Sequence, residues 1–221
     1  MVNFSIASII HEALPFGFYY GKRVISLNTA IYCQGVYEKD CSLESVTSIH
    51  KKVNKFYPTG IIVKPDVLHC DKCDPAFQQN WEKFVNFSEH AVHFHTNGSR
   101  DITFMCDWLG VHLINGVKPK PENIKYACEI FVYADNENQL DEFEETIIEH
   151  NSGAHVWLVP ATKQGYEFCK QRVVELESPI NYRLGIHENT LFSHEISKNR
   201  ESFKESEEPE YAPTEANTTI S

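Results

Sequence analysis

The clearest pattern with chemical potential in this chain is a pair of cysteines separated by two residues, Cys70 and Cys73. Two thiolates at this spacing can bind one Zn²⁺ ion or one edge of an iron–sulfur cluster, because the short loop lets both sulfur atoms point inward. His69, His93 and His95 are the histidines that could complete a tetrahedral zinc site. The alternative is a surface loop with two free cysteines, since the sequence has no second Cys-x2-Cys pair.

A second candidate region begins with His93 and His95, which lie two residues apart on a predicted strand and therefore share one face of it. Such a pair can bind a metal, but it also occurs on ordinary half-buried strands. Thr96, Asn97 and Gly98 follow directly. They are candidate cofactor-binding residues for a nucleotide-like ligand, because open α/β folds bind ligands at the carboxyl ends of their strands. The alternative is a tight Asn-Gly turn without a ligand.

Hydrophobic periodicity predicts strands that alternate with helices. The predicted strands span 23–32, 60–63, 91–95, 108–114, 127–134, 155–159 and 182–186. The predicted helices span 42–56, 76–87, 139–150 and 165–175. Residues 3–12 fit either a strand or a short helix, and 118–121 fit an extended connector.

Alternating strands and helices indicate a parallel sheet that is covered by helices. About six β/α units are too few for a complete eightfold barrel, so we expect an open, partial α/β barrel in a single domain over residues 1–196. Residues 197–221 are rich in Glu, Ser, Pro, Asn and Thr. Such a segment cannot bury enough apolar surface to fold, and it is predicted to be a disordered acidic tail.

The order of several segments resembles 7-carboxy-7-deazaguanine synthase. The opening segments 4–10 and 18–27 are similar to the first strands of that family. His95-Thr96-Asn97-Gly98-Ser99 resembles the family's Glu-Thr-Asn-Gly-Thr turn, and 107–111 and 181–186 resemble two later strands. The resemblance runs in order from about residue 4 to 192. It implies a radical-SAM type of partial barrel.

The resemblance also implies a chemistry whose residues are missing here. The family holds an iron–sulfur cluster in a Cys-x3-Cys-x2-Cys loop and cleaves S-adenosylmethionine to start a ring contraction that leads to queuosine. In this chain the matching loop retains only Cys33, and the next thiol is Cys41. The matches to the family's cosubstrate and substrate stretches, at 64–67, 14–17 and 187–190, are also changed, and Ser26 replaces the family's arginine.

The resulting hypothesis is a degenerate homologue that acts as a binding or regulatory pseudoenzyme, with no catalytic residues and no cofactor apart from a possible zinc ion. The resemblance implies a homodimer or a heteromer with an active relative. Two alternatives stay open. One is an active metal-dependent enzyme of deazaguanine metabolism that uses Cys70 and Cys73. The other is a structural or host-interaction protein on the inherited fold.

Composition restricts the partners and the compartment. The formal net charge of −11 argues against nucleic acid as a partner, because affinity for phosphate comes from Lys and Arg. No run of apolar residues approaches the length of a membrane span, which is about 18 residues. Seven cysteines, an odd number, are typical of a reducing compartment rather than of a disulfide framework. We therefore expect a cytoplasmic protein without a membrane partner.

Overall fold

The computed structural model describes residues 3–13, 17–19, 21–29, 42–65, 75–102, 104, 106–150, 153–175 and 178–185. The strands are β1 Asn3–Ala13, β2 Arg23–Thr29, β3 Ser42–Ser45, β4 Gly60–Pro65, β5 Val92–Thr96, β6 Trp108–Leu113, β7 Glu129–Val132, β8 His155–Leu158 and β9 Tyr182–Leu184. The helices are α1 Val46–Asn54, α2 Pro75–Phe87, α3 Pro121–Tyr126, α4 Glu137–His150 and α5 Lys163–Val173.

All nine of these strands belong to one sheet, in the order β3-β1-β2-β4-β5-β6-β7-β8-β9. The pairs β1–β2 and β1–β3 are antiparallel, whereas every pair from β2–β4 to β8–β9 is parallel. From β4 onward the strands follow one another in chain order, which is the arrangement of a (β/α) barrel. Within the described residues, β3 and β9 form the two edges. The predicted open, partial α/β barrel is thereby confirmed.

The two faces of the sheet have different roles. Alternate strand residues such as Ile61, Phe94 and Val111 join Ile49 of α1 and Trp81 of α2 in the main hydrophobic core. Residues of opposite parity point away from the helices, toward what we call the inner face. A separate small cluster of Tyr19, Val24 and Ile62 packs there. The inner face also carries most of the polar side chains that could perform chemistry.

The structure corrects two predicted elements and decides a third. Residues 42–45 form β3 rather than the first turn of a helix, because β1 pairs with them along its free edge. Pro121 begins α3 instead of ending an extended connector, since proline is favoured in the first turn of a helix, where its missing N–H costs no hydrogen bond. Residues 3–12, left open between strand and helix, form a strand. The predicted tail, 197–221, lies outside the described residues.

Among the residues that the structure describes, none of the helices has the length and hydrophobicity needed to span a bilayer.

Candidate functional site

The half of the inner face nearest the beginnings of the parallel strands is filled with aromatic rings. His93 stacks between Tyr19 and Trp108, with ring centroids 4.2 and 5.5 Å away. Phe18 covers Trp108 at 4.5 Å. Burial is the main cause that lowers the pKa of His93 to about 4, and nearby Asp107 opposes it. The imidazole is therefore a neutral packing group at neutral pH.

A buried carboxylate completes this aromatic layer. Glu129 is 1% exposed, and its two oxygens accept hydrogen bonds from the indole N–H groups of Trp108 and Trp157, both at 3.0 Å. Burial raises the pKa of Glu129, while the hydrogen bonds from Trp108, the Phe18 backbone and Trp157 oppose that rise. Because both oxygens are engaged by the protein itself, we interpret this layer as a structural seal rather than as a ligand site.

The half nearest the carboxyl ends of the strands holds a chain of three polar side chains. His95 Nδ1 lies 2.9 Å from His112 Nε2, and His112 Nδ1 lies 3.0 Å from the hydroxyl oxygen of Tyr133. The three residues come from β5, β6 and the position directly after β7, which are neighbours in the sheet. The contacts therefore run diagonally across three adjacent strands at the edge where open α/β sheets bind ligands.

Gly110 makes this diagonal contact possible. It lies between His95 and Phe131 on the inner face, in register with His95. A Cβ atom at this position would lie 3.0 Å from the Phe131 ring and 3.2 Å from the His95 ring. Both histidine rings stack on Phe131, with centroid distances of 5.3 Å for His95 and 4.6 Å for His112. A residue without a side chain on β6 thus lets rings from three strands meet.

Burial keeps His95 and Tyr133, the two ends of this chain, uncharged at neutral pH. It is the largest cause that holds the pKa of His95 well below the ordinary value, and His112, Lys64 and His93 act in the same direction. Burial also raises the pKa of Tyr133 to about 12. Side chains that each donate and accept hydrogen bonds can pass a proton from one to the next. A net charge on such buried side chains, in contrast, would cost free energy.

The geometry of the histidine pair favours a hydrogen bond over a shared metal ion. The two ring centroids are 5.0 Å apart, nearly as far as two imidazoles can be when their nitrogens are 2.9 Å apart. The rings therefore face each other almost head on, and each nitrogen points at the other. Two nitrogens that bind one metal ion would instead both point toward a third position.

The two histidines that the sequence placed in one candidate site make different contacts in the structure. His93 and His95 share the inner face as the spacing predicts, but His93 packs in the aromatic layer and His95 bonds to His112. Cys70 and Cys73 lie outside the described residues, so the predicted metal site that combines them with these histidines stays a prediction. Among the described residues, no three His, Cys, Asp or Glu side chains come together as a metal-binding group.

The predicted ligand turn at Thr96, Asn97 and Gly98 is held by its own hydrogen bonds. Gly98 has a φ of 71°, and its N–H donates to Thr96 Oγ1 at 3.1 Å. Asn97 Oδ1 accepts from the N–H of Ser99 at 3.0 Å, and Asn123 Nδ2 donates to the Gly98 carbonyl at 2.8 Å. These bonds account for the shape of the turn, and binding of a nucleotide-like ligand there stays a prediction.

Sequence reasoning missed His112, Tyr133 and Glu129. The period-two alternation of their strands would have placed them on the same face as His93 and His95. Which of them meet depends on the register between strands, with His95 opposite Gly110 and His112 opposite Phe131, and a single sequence does not reveal that register.

Comparisons with known proteins add a likeness in fold. No protein-family model matches the chain, and no curated protein matches it either. Its fold is similar to that of QueE from Escherichia coli. The crystal structure of that protein aligns with a TM-score of 0.63 over 84% of this chain and 94% of the other. The sequence identity over the alignment is 11%, so the likeness shows the fold alone.

Proposed function

We propose that the chain is a catalytically degenerate homologue of 7-carboxy-7-deazaguanine synthase that acts as a binding or regulatory pseudoenzyme. One observation carries the proposal. A chain with the fold of QueE contains no Cys-x3-Cys-x2-Cys sequence at any position. A radical-SAM cluster needs three thiolates on one loop, with one iron left open for the methionine part of the cosubstrate.

The cysteines that the structure describes do not supply the missing thiolates. Cys106 lies two residues before β6 and Cys128 directly before β7, at the beginnings of the strands and far from their carboxyl ends. Burial raises the pKa of Cys106 to about 12, so its sulfur stays a protonated thiol. Cys169 is buried on α5 and donates to the Ala134 carbonyl at 3.2 Å. The donor set of the described residues therefore does not fit a cluster.

The two ends of the inner face support a binding role. The aromatic layer seals the beginning of the strands, whereas the carboxyl end presents Lys64, His95, His112 and Tyr133, which can pair with polar ligand atoms. A small ligand would bind at this end, as it does in other open α/β folds. The ligand or the pathway partner would thus be recognised without any radical chemistry.

Anaerobic reconstitution tests the loss of chemistry. The full chain is incubated with iron and sulfide without oxygen, in parallel with QueE from Escherichia coli as the control, and then with S-adenosylmethionine and a reductant. We expect no thiolate-to-iron charge-transfer absorption and no cleavage of S-adenosylmethionine by this chain. A cluster that cleaves the cosubstrate at the rate of the control would contradict the proposal.

A surface at the other end of the barrel supports the proposed dimer or heteromer. Each of the five described helices has an exposed apolar side chain in its last turn or within three residues after its end. These are Tyr57, Phe87, Tyr126, Ile148 and Val174, with exposures from 45% to 81%. We call this set the apolar rim. All five are at or near the carboxyl ends of helices of one largely parallel sheet and so lie at the same end of it, where they would meet the partner in the proposed assembly.

One structural observation supports the metal-dependent alternative. The chain leaves β4 at Pro65, and the segment that carries Cys70 and Cys73 therefore begins at the sheet edge that also holds Thr96 and Tyr133. Elemental analysis of the purified chain and of a Cys70→Ser variant tests this function. About one equivalent of zinc that disappears in the variant would favour it, and a metal-free wild-type chain would exclude it.

A further inference from the structure

The side chains His95, His112 and Tyr133 form a continuous hydrogen-bonded chain with two equivalent proton arrangements. In the first, His95 Nδ1–H donates to His112 Nε2, and His112 Nδ1–H donates to the Tyr133 oxygen. In the second, the Tyr133 hydroxyl donates to His112 Nδ1, and His112 Nε2–H donates to His95 Nδ1. Each arrangement contains the same two hydrogen bonds and no charge, so their energies should be close.

We propose that these three residues form a proton relay between a weakly acidic ligand at the His95 end and water at the Tyr133 end. The relay goes beyond the proposed binding function, because it gives the scaffold an acid–base capability that needs no iron–sulfur cluster. Tyr133 follows the last residue of β7 and therefore lies nearest the mouth of the barrel, while His95 lies within β5.

The transfer balances without any other reactant. The ligand gives a proton to His95 Nε2, His95 Nδ1–H passes its proton to His112 Nε2, and His112 Nδ1–H passes its proton to the Tyr133 oxygen. The Tyr133 hydroxyl then releases its own proton to water. The three side chains have then passed from the first proton arrangement to the second, and the ligand has become its conjugate anion. The reverse transfer restores the first arrangement.

The charges around the chain indicate the class of ligand. Lys64 on β4 lies close enough to His95 for its positive charge to disfavour protonation of the imidazole. The same charge would stabilise an anion that forms at the His95 end. His112 and His93 are the other titratable groups that act on His95, and neither carries a negative charge. The relay is therefore suited to an oxygen or nitrogen acid that leaves a small anion beside Lys64.

Nitrogen NMR on the full chain with ¹⁵N-labelled histidine tests the relay without a ligand. We expect a coupling across the hydrogen bond between His95 Nδ1 and His112 Nε2. We also expect both nitrogens of His112 to resonate midway between the protonated and unprotonated limits, because the two arrangements exchange. His90 is the internal control, since its Nε2 lies 3.0 Å from Asn54 Oδ1, which can only accept, and it should show one fixed tautomer.

A Tyr133→Phe variant shows whether the third member takes part. Without the hydroxyl, an Nδ1–H of His112 would lose its acceptor, so the nitrogen signals should move to the limit with the proton on Nε2. Tyr126→Phe, at a tyrosine that is 66% exposed, should leave the signals unchanged. One fixed His112 tautomer in the wild type, or a coupling that disappears on addition of Zn²⁺, would overturn the relay. Neither outcome bears on the loss of cluster chemistry.

Discussion

His93 shows that a histidine on the inner face can pack as a neutral ring. Its protonation then affects the stability of the fold. His93 is 3% exposed and stacks on Tyr19 and Trp108. The sequence predicted which face it occupies, because parity along a strand is fixed. It could not predict the neighbouring rings, which are Trp108 of β6 and Tyr19, a residue that precedes β2. The metal-ligand role of His93 rests on the spacing of the sequence and stays a prediction.

The lowered pKa of His93 predicts a loss of stability in acid. The pKa falls from 6.5 in the unfolded chain to about 4 in the folded one, so the unfolded chain binds the extra proton between these values. The contribution is therefore complete above pH 6.5 and is lost as the pH falls toward 4. It amounts to about 3 kcal/mol, since one pKa unit corresponds to about 1.4 kcal/mol.

Urea unfolding at several pH values measures this contribution. A His93→Phe variant keeps an aromatic ring between Tyr19 and Trp108 but cannot take up a proton. We expect its free energy of unfolding to fall less steeply than that of the wild type between pH 6.5 and 4. The nearby Asp107 and His95 are retained in both proteins, so the difference isolates His93. Equal slopes would contradict the assignment.

Gly110 determines whether the rings of β5 and β7 can meet across β6. The Cβ atom of an alanine would lie 3.0 Å from Phe131 and 3.2 Å from His95, closer than unstrained packing allows. We expect Gly110→Ala to lower the free energy of unfolding by about 1–3 kcal/mol and to weaken the His95–His112 coupling. A change within about 0.5 kcal/mol, as for an ordinary surface substitution, would show that the site repacks freely.

At the scale of the elements, the start of α1 shows what periodicity can and cannot locate. The apolar spacing predicts a helix over 42–56, which covers α1 but begins four residues before it. The structure begins α1 at Val46, and Ser45 Oγ accepts from the N–H of Ser48 at 3.1 Å. Leu43 and Glu44 are good helix formers, so local propensity favours the predicted helix over the strand. Pairing with β1 decides between them, and that contact is not local.

The N-cap assignment predicts different effects for two serines. Ser45→Ala removes the side chain that accepts from Ser48, and we expect it to cost about 1 kcal/mol of stability. Ser42→Ala, the matched control, lies in β3 and should leave the cap intact. Thermal unfolding of both variants measures the difference. A larger loss of stability for Ser42→Ala than for Ser45→Ala would contradict this assignment and would indicate that the helix begins at residue 42.

At the scale of the whole molecule, the fold was more predictable than the site. Seven strands and four helices follow from hydrophobic periodicity, and the parallel order follows from the alternation of strands and helices. The order of motifs also indicated the fold that QueE from Escherichia coli shares. The apolar rim could not be predicted, because tertiary packing decides which apolar side chains near the helix ends stay exposed.

The apolar rim predicts an effect on assembly. A Tyr57→Ser, Phe87→Ser double variant should shift the mass measured by light scattering toward the monomer. It should leave the unfolding temperature nearly unchanged, because the two side chains are 81% and 72% exposed. Ile114→Ser is the control, because Ile114 is exposed but follows the carboxyl end of β6, at the opposite end of the sheet. The chain is measured alone and mixed with an active relative. The same mass for the wild type and the double variant under both conditions would exclude the rim as the interface.

The proposed loss of cluster chemistry is tested most directly by the iron and acid-labile sulfide of the chain after isolation without oxygen. A radical-SAM cluster is retained through such a purification by three thiolates on one loop, and this sequence has no loop with three cysteines. We predict less than about one-tenth of an equivalent of iron and no sulfide, whether or not zinc is present. About four equivalents each of iron and sulfide per chain, the content of one [4Fe–4S] cluster, would contradict the account.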